Sequence, residues 1–469
     1  MIFFTFGFLA FFAFVLALNW ALKPWPLAWR IFLLAASYYF YTVWDWRLLV
    51  ALIALSFANY WFGARIKKSF YGKKKFLLVL GVASNLLALG YFKYYDFFRL
   101  SAETILQKLG VAVNLPLLEL MVTAGLSFYL FKMISFLADC YSGKIDRYPL
   151  LVDLALYFAF FPQLLSGPIA RANDFLPQLE NGGAKFIDRP YHYVSRLMAG
   201  LFKKLLIVNY LAVNITDDVF AVPQNHGSLV ILLAVLAYAL VIYFDFSSYT
   251  DMSIGFAGLM GFRSPENFNF PYGALTISEF WRKWHITLSD WVRDYIYIPL
   301  GGNRKGGLRR SFNLVIAMTA MGFWHGAQAH YIFWGILHGL ALGLAAYSKN
   351  LINKIRKFFL GRFVLWFITF IFVLLSWIFF RVETVSDGFA MVKQLLSLQR
   401  LDESFKLYAL VAIAVGYIFI ALEQHIISFL AKAQEKMPLP VWFIFVAAAI
   451  ALLFRAGSDT LPAFIYFNF

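Results

Sequence analysis

Apolar residues in this chain neither alternate nor keep to one helical stripe. They come in runs long enough to cross a bilayer, separated by short polar loops. A transmembrane helix needs about 20 predominantly apolar residues. By that measure candidate spans lie near 1–20, 30–44, 47–63, 76–92, 117–138, 150–166, 193–215, 228–246, 311–325, 330–347, 363–380, 407–429 and 440–454. Some of these read as re-entrant or half-spans, so the pattern predicts about a dozen helices in a single transmembrane domain, 1–469. The longest polar stretches, 93–116, 168–192 and 381–406, are too short and too amphipathic for a soluble domain, and no internal repeat is visible.

Composition sharpens this into an all-α, polytopic integral membrane protein. The chain is 62% hydrophobic and 20% aromatic, more apolar surface than a soluble domain can hide. Its net charge of +16 does not point to nucleic acid, because the basic residues cluster in loops between apolar runs. That is the positive-inside pattern. It puts the Arg65–Lys75 segment in the cytoplasm, together with the loops carrying Lys349, Lys354, Arg356, Lys357 and Arg362, and Lys432 and Lys436. Counting spans outward from these loops predicts both termini on the extracytoplasmic side. The first run lacks a basic leading region and a small-residue cleavage site, so it reads as a retained span. The lone Cys140 excludes an internal disulfide and a cysteine-based metal cluster.

The chemistry concentrates between Glu279 and His338. This stretch opens Glu279-Phe-Trp-Arg-Lys-Trp-His285-Ile-Thr-Leu-Ser289 and continues Arg293-Asp-Tyr-Ile-Tyr-Ile-Pro299-Leu-Gly-Gly302-Asn-Arg304. Two apolar runs follow, ending in Gly322-Phe-Trp-His325-Gly326 and Trp334-Gly-Ile-Leu-His338-Gly339. Ionisable side chains at membrane depth are costly and mark function by default. No His-Glu-x-x-His pattern accompanies these histidines, so no metal site is expected. Segment 279–298 reads as an amphipathic helix lying partly at the interface. Asp245 and Asp251, in an otherwise apolar run, are expected to be structural charges paired with buried cations such as Arg171 or Arg282.

These motifs resemble the bacterial branch of the membrane-bound O-acyltransferase (MBOAT) family. They are most like the members that O-acetylate alginate, bacterial cellulose or peptidoglycan, with the D-alanyl transferase of teichoic acids a more distant cousin. The likeness extends along the chain through Leu89-Gly-Tyr-Phe-Lys93, Gly125-Leu-Ser-Phe-Tyr129, Phe161-Pro-Gln-Leu-Leu-Ser-Gly167-Pro168 and Tyr243-Phe-Asp245. Ser248 departs from it, standing where the family pattern has Gly. The resemblance implies an MBOAT fold around a central tunnel, with His325 as the catalytic base. A histidine near its unperturbed pKa suits the activation of a hydroxyl. His285 is then assigned to substrate or oxyanion stabilisation, against the alternative of an ordinary interfacial residue. His338, roughly three to four turns beyond His325, stays open between a catalytic and a structural part.

The chain ends Leu461-Pro-Ala-Phe464-Ile-Tyr466-Phe-Asn-Phe469, a tail (461–469) with no basic residue. It reads either as an aromatic anchor at the membrane interface or, by resemblance, as the acyl-accepting motif of related systems. In the second case Tyr466 relays the acyl group, since an aryl ester is more activated than an alkyl ester. Arg282, Arg304, Lys305 and Arg309 could hold the phosphates of coenzyme A, or serve only as positive-inside charge. The implied protein is an inner-membrane O-acyltransferase with no bound cofactor, taking acetyl-CoA or another acyl thioester as donor. An extracytoplasmic SGNH-type partner and a cell-surface polysaccharide complete the implied system. Direct acylation of a lipid or small alcohol, and a non-enzymatic transporter for a lipid-linked glycan, are the alternatives.

Overall fold

The computed structural model describes residues 3–43, 45–111, 113–117, 125–304, 306–399 and 407–457, and every regular element among them is a helix. Eight of these helices are long and apolar enough to cross a membrane. They are Trp46–Lys68, Tyr71–Lys93, Pro190–Ala221, Ser228–Leu259, Ala329–Tyr347, Phe359–Arg381, Leu407–Glu435 and Leu439–Ala456. Shorter helices account for other expected runs, among them Phe6–Ala21, Pro26–Thr42 and Leu126–Ser142. The run expected near 228–246 continues to Leu259. The run near 150–166 is cut into Leu151–Ala159 and Phe161–Leu164. The break falls at Phe160, ahead of Gly167-Pro168, because Pro162 belongs in the first turn of a new helix.

The chain divides into two compact units. The first comprises residues 1–190 and 256–265. Its helices are tied by buried polar pairs and by an ion pair, Arg30 with Asp153 (3.0 Å). Trp29 donates to Asn19 (2.9 Å), Asn19 to the Met260 carbonyl (3.1 Å), and Asn59 and Asn85 bond reciprocally. Lys132 is buried, and its amine donates to the Tyr157 carbonyl (3.2 Å) and to Gln163 Oε1 (3.1 Å).

The second unit comprises 191–255 and 266–465 and carries the 279–338 stretch. Its most extensive helix pair is the hairpin of Gly306–His325 and Ala329–Tyr347, joined by Gly326-Ala-Gln328. Small residues let the two backbones touch, the usual device where lipid supplies no hydrophobic drive. A methyl group at Gly339 would stand 2.6 Å from the Val315 Cα, and one at Gly335 would run into the Met318 carbonyl. The helix begins at Gly306, earlier than the apolar run, so Arg309 and Arg310 lie in its first turns, not in a loop.

Candidate functional site

His325 is the last residue of the Gly306–His325 helix and is 4% exposed. Aromatic rings enclose it: Trp324 at 4.7 Å, Phe380 edge-on at 4.9 Å, Trp334 edge-on at 5.4 Å and Tyr331 at 6.3 Å. Gly326 is needed at the bend, since a Cβ there would meet the Tyr331 ring. Phe380 is the residue before Arg381, where the Phe359–Arg381 helix ends. His325 therefore sits near that end of the helix. The far end carries the basic Lys349–Arg362 segment.

His338 is fully buried a little deeper, and Trp334 bridges it to His325, its ring 4.7 Å from the His338 ring. Both of its nitrogens are engaged. Trp281 Nε1 donates to Nδ1 (3.2 Å), which makes that nitrogen the unprotonated one. The Nε2–H then donates to Ser376 Oγ (3.0 Å), whose hydroxyl donates on to the Val373 carbonyl (2.7 Å). With its lone pair taken by an indole N–H, His338 ties three helices together and holds the Trp281–Trp334 wall beside His325.

His285 breaks the chain where an amphipathic helix was expected. Its backbone is left-handed (φ 41°, ψ 56°), separating Ile277–Trp281 from Ile286–Val292, and a π turn, Arg293–Tyr297, follows. Such a conformation is uncommon outside glycine and recurs at functional sites. The kink turns Phe280, Trp281, Trp284, Leu288 and Trp291 into the interior and leaves Asp290, Arg293 and Asp294 to pair with one another towards solvent. His285 is 1% exposed, with Phe246 edge-on at 4.5 Å, and burial pushes its imidazole down to about 3, so it is neutral. Phe246 lies 18 residues from Ser228, about 27 Å along its helix at 1.5 Å per residue. The residue before His285, Trp284, packs on Trp377 (5.0 Å), and Trp377 on Trp334 (6.0 Å). An aromatic column thus runs between the His285 level and His325.

The cations assigned to a donor lie elsewhere on the same unit. Arg282, Arg304 and Arg309 are exposed, and Arg309 stacks over Phe312 (5.5 Å). Arg309 is some 16 residues, or about 24 Å, down the helix from His325. Lys305 and Tyr466 lie outside the described residues. Among the described residues no group of three or more His, Cys, Asp or Glu side chains gathers as a metal site would require.

One cluster was not anticipated as such. Lys203 and Lys204, consecutive on the Pro190–Ala221 helix, are both buried. Lys204 pairs with Asp245 (2.7 Å). Lys203 bonds Asp251, Glu423 (2.5 Å) and Ser247 (3.0 Å). Arg196 joins Asp251 (3.0 Å) to Glu266, and Tyr243 donates to Glu423 (2.6 Å). The two aspartates are paired with buried cations, as expected, and Lys203, Lys204 and Arg196 are among their partners. The signal was present in the sequence: a lysine pair inside one apolar run and a glutamate inside another.

The model of the membrane-bound O-acyltransferase family matches residues 34–385. The probable alginate O-acetylase AlgI of Pseudomonas aeruginosa is 38% identical over 376 residues, 78% of this chain and 70% of that protein. The peptidoglycan O-acetyltransferase of Helicobacter pylori is 33% identical over 405 residues, 80% of this chain and 75% of that protein. The teichoic acid D-alanyltransferase of Bacillus subtilis is 28% identical over 229 residues, 46% of this chain and 57% of that protein.

Proposed function

We propose that this chain, which belongs to the membrane-bound O-acyltransferase family, carries an acetyl group across the bacterial inner membrane for O-acetylation of a cell-surface polysaccharide. The donor is a cytoplasmic thioester, acetyl-CoA. Relatives named for alginate and for peptidoglycan support a polysaccharide as the final acceptor. The observation that carries the reading is the placement of His325. A histidine enclosed by aromatics stands near one end of the Gly306–His325 and Ala329–Tyr347 hairpin, and the exposed cations Arg304 and Arg309 stand at the other.

The two ends suit the two halves of the transfer. Arg304 and Arg309, with Lys305 between them in sequence, face the cytoplasm by the positive-inside rule. Arginine at a helix N-terminus opposes the helix dipole, so these residues serve something other than that helix's stability. Phosphates of coenzyme A are an anion of suitable geometry for them. In the first step His325 takes the proton of the Tyr466 phenol, the phenolate attacks the thioester carbonyl, and the thiolate leaves and recovers the proton as free coenzyme A. In the second step a sugar hydroxyl attacks the acetyl-tyrosine ester, regenerating the phenol. An extracytoplasmic SGNH-type partner completes this step. Neutral His285, deeper in the unit and separated from His325 by the aromatic column, stabilises bound substrate along the donor's path.

The test is intact mass spectrometry of the purified protein after incubation with acetyl-CoA, beside Tyr466→Phe and His325→Ala. The relay predicts an acetyl adduct on the C-terminal peptide that is absent from both variants. A folded protein that accumulates no adduct, yet still acetylates an added alcohol, would replace the relay by direct transfer. An adduct that persists in His325→Ala would remove His325 as the base.

A further inference from the structure

We propose that the polar cavity at the Arg381 end of the Phe359–Arg381 helix binds a short segment of the acceptor glycan. The cavity encloses about 830 Å³, within the range of about 300–1,000 Å³ for small-molecule sites. It lies where the Pro190–Ala221 helix ends and the Val385–Leu396 helix begins. By the charge pattern this is the extracytoplasmic end, an assignment that rests on the function proposed above.

The lining selects among ligand classes. Two cations, Arg381 and Lys393, face two carboxylates, Glu383 and Asp387, so the wall carries no net charge. A nucleotide or phosphate group would require a surplus of cations. An acyl chain would require an apolar wall, and among these residues only Phe220, Val382 and Met391 offer large apolar surface. The side chains of Gln224 and Gln399 supply paired donors and acceptors, the chemistry that matches vicinal hydroxyls. A polyhydroxylated ligand with little net charge, or one balanced uronate, uses every one of these groups.

The walls are built before any ligand arrives. Arg381 reaches Asp217 (3.5 Å) and stacks over Phe220 (5.9 Å). The far wall is clamped through Ser228, whose Oγ donates to the Gln394 carbonyl (2.8 Å) and accepts from the Gln399 amide (3.1 Å), while its own amide donates to the Gln399 carbonyl (3.0 Å). Thr384 caps the Val385–Leu396 helix by accepting from the Asp387 amide (3.1 Å). Glu383, Lys393 and Gln224 remain exposed with their polar groups available. Val382, which lines the cavity, is two residues from Phe380, which packs on His325, so the cavity lies at the same end of the Phe359–Arg381 helix as the proposed base.

Binding is measured on the full-length protein in lipid nanodiscs by saturation-transfer NMR and titration calorimetry. The probes are cellotetraose and an N-acetylglucosamine tetrasaccharide, both uncharged, and a mannuronate tetrasaccharide, whose additional carboxylates the neutral wall disfavours. We expect at least one to bind with a Kd below about 1 mM, and the double variant Gln224→Ala/Glu383→Ala to weaken it tenfold or more. Both positions are exposed, so an unchanged melting temperature separates lost binding from lost fold. Failure of all three probes to bind, or equal binding to the double variant, overturns the assignment. The same preparation is then given acetyl-CoA and weighed. An adduct without sugar binding removes the cavity and keeps the relay; sugar binding lost in the variant, without an adduct, removes the relay and keeps the cavity.

Discussion

The indole N–H of Trp281 decides what His338 can do. It occupies the Nδ1 lone pair, and Ser376 takes the Nε2 proton, so the ring is locked as a neutral strut. His325, on the other side of Trp334, is held by ring packing at the end of its helix. The two residues should separate cleanly by mutation. His325→Gln keeps the polarity and most of the volume but not the base. It should lower acetyl transfer by about 10²–10⁴-fold, the usual contribution of general base catalysis, at an unchanged melting temperature. His338→Ala strands the Trp281 N–H in the interior, at a cost of about 1–3 kcal/mol, and should lower the melting temperature first. Thermal unfolding in detergent, paired with an acetyl-transfer assay, reads both. A His338→Ala protein as stable as wild type but inactive would give that histidine a direct part in the chemistry. Sequence motifs could flag both residues, because each lies in an apolar run beside tryptophan and glycine. They could not rank them, since the ranking depends on Trp281 and Ser376, which reach His338 only through tertiary packing.

At the scale of elements, one hairpin sets the site's dimensions. Gly335 lies against the Met318 carbonyl, and a Cβ there has no space, whereas Gly307 on the same hairpin has nothing within 4 Å of the corresponding position. Gly335→Ala should therefore spread the hairpin, costing about 1–3 kcal/mol as other overpacked positions do, and should reduce transfer by shifting Trp334 from His325. Gly307→Ala should change neither. Equal melting temperatures and activities for the two variants would show that the hairpin is not under that constraint. The span pattern anticipated this pair, including the interruption near Gln328, because apolar length and a short polar break are local signals. The kink at His285 was not legible, because a left-handed histidine has no marker in the residues around it. Nor were the partners of Asp245 and Asp251, which come from other helices. A π turn, Lys203–Val208, begins at the buried lysine pair. Removing one member of such a network strands its partner charges, which makes these residues structurally indispensable whatever their part in catalysis.

For the whole molecule, the direction of transfer depends on which end of the spanning helices faces out. Within Phe359–Arg381, the basic Lys354–Arg362 region precedes one end, and Arg381, the polar cavity and the His325 level mark the other. The positive-inside rule then predicts the proposed base near the outer leaflet and the proposed donor-side cations about 24 Å away, at the inner surface. This separation is what a transmembrane acyl transfer needs: the thioester must reach up from the cytoplasm, and the acceptor needs to enter only a short distance. The orientation can be tested directly, because the native Cys140 is buried and should label poorly. Ser397→Cys and Lys354→Cys each add one exposed thiol, in the segments that follow and precede the Phe359–Arg381 helix. In intact spheroplasts an impermeant maleimide should label Ser397→Cys at once. It should label Lys354→Cys only after the membrane is opened. The reverse pattern would turn the cavity towards the cytoplasm and make it a donor-side feature, and His325 would then lie at the thioester's entrance instead of the acceptor's. Labelling of both in intact cells would place the Phe359–Arg381 helix along the membrane surface, contrary to its length and apolarity.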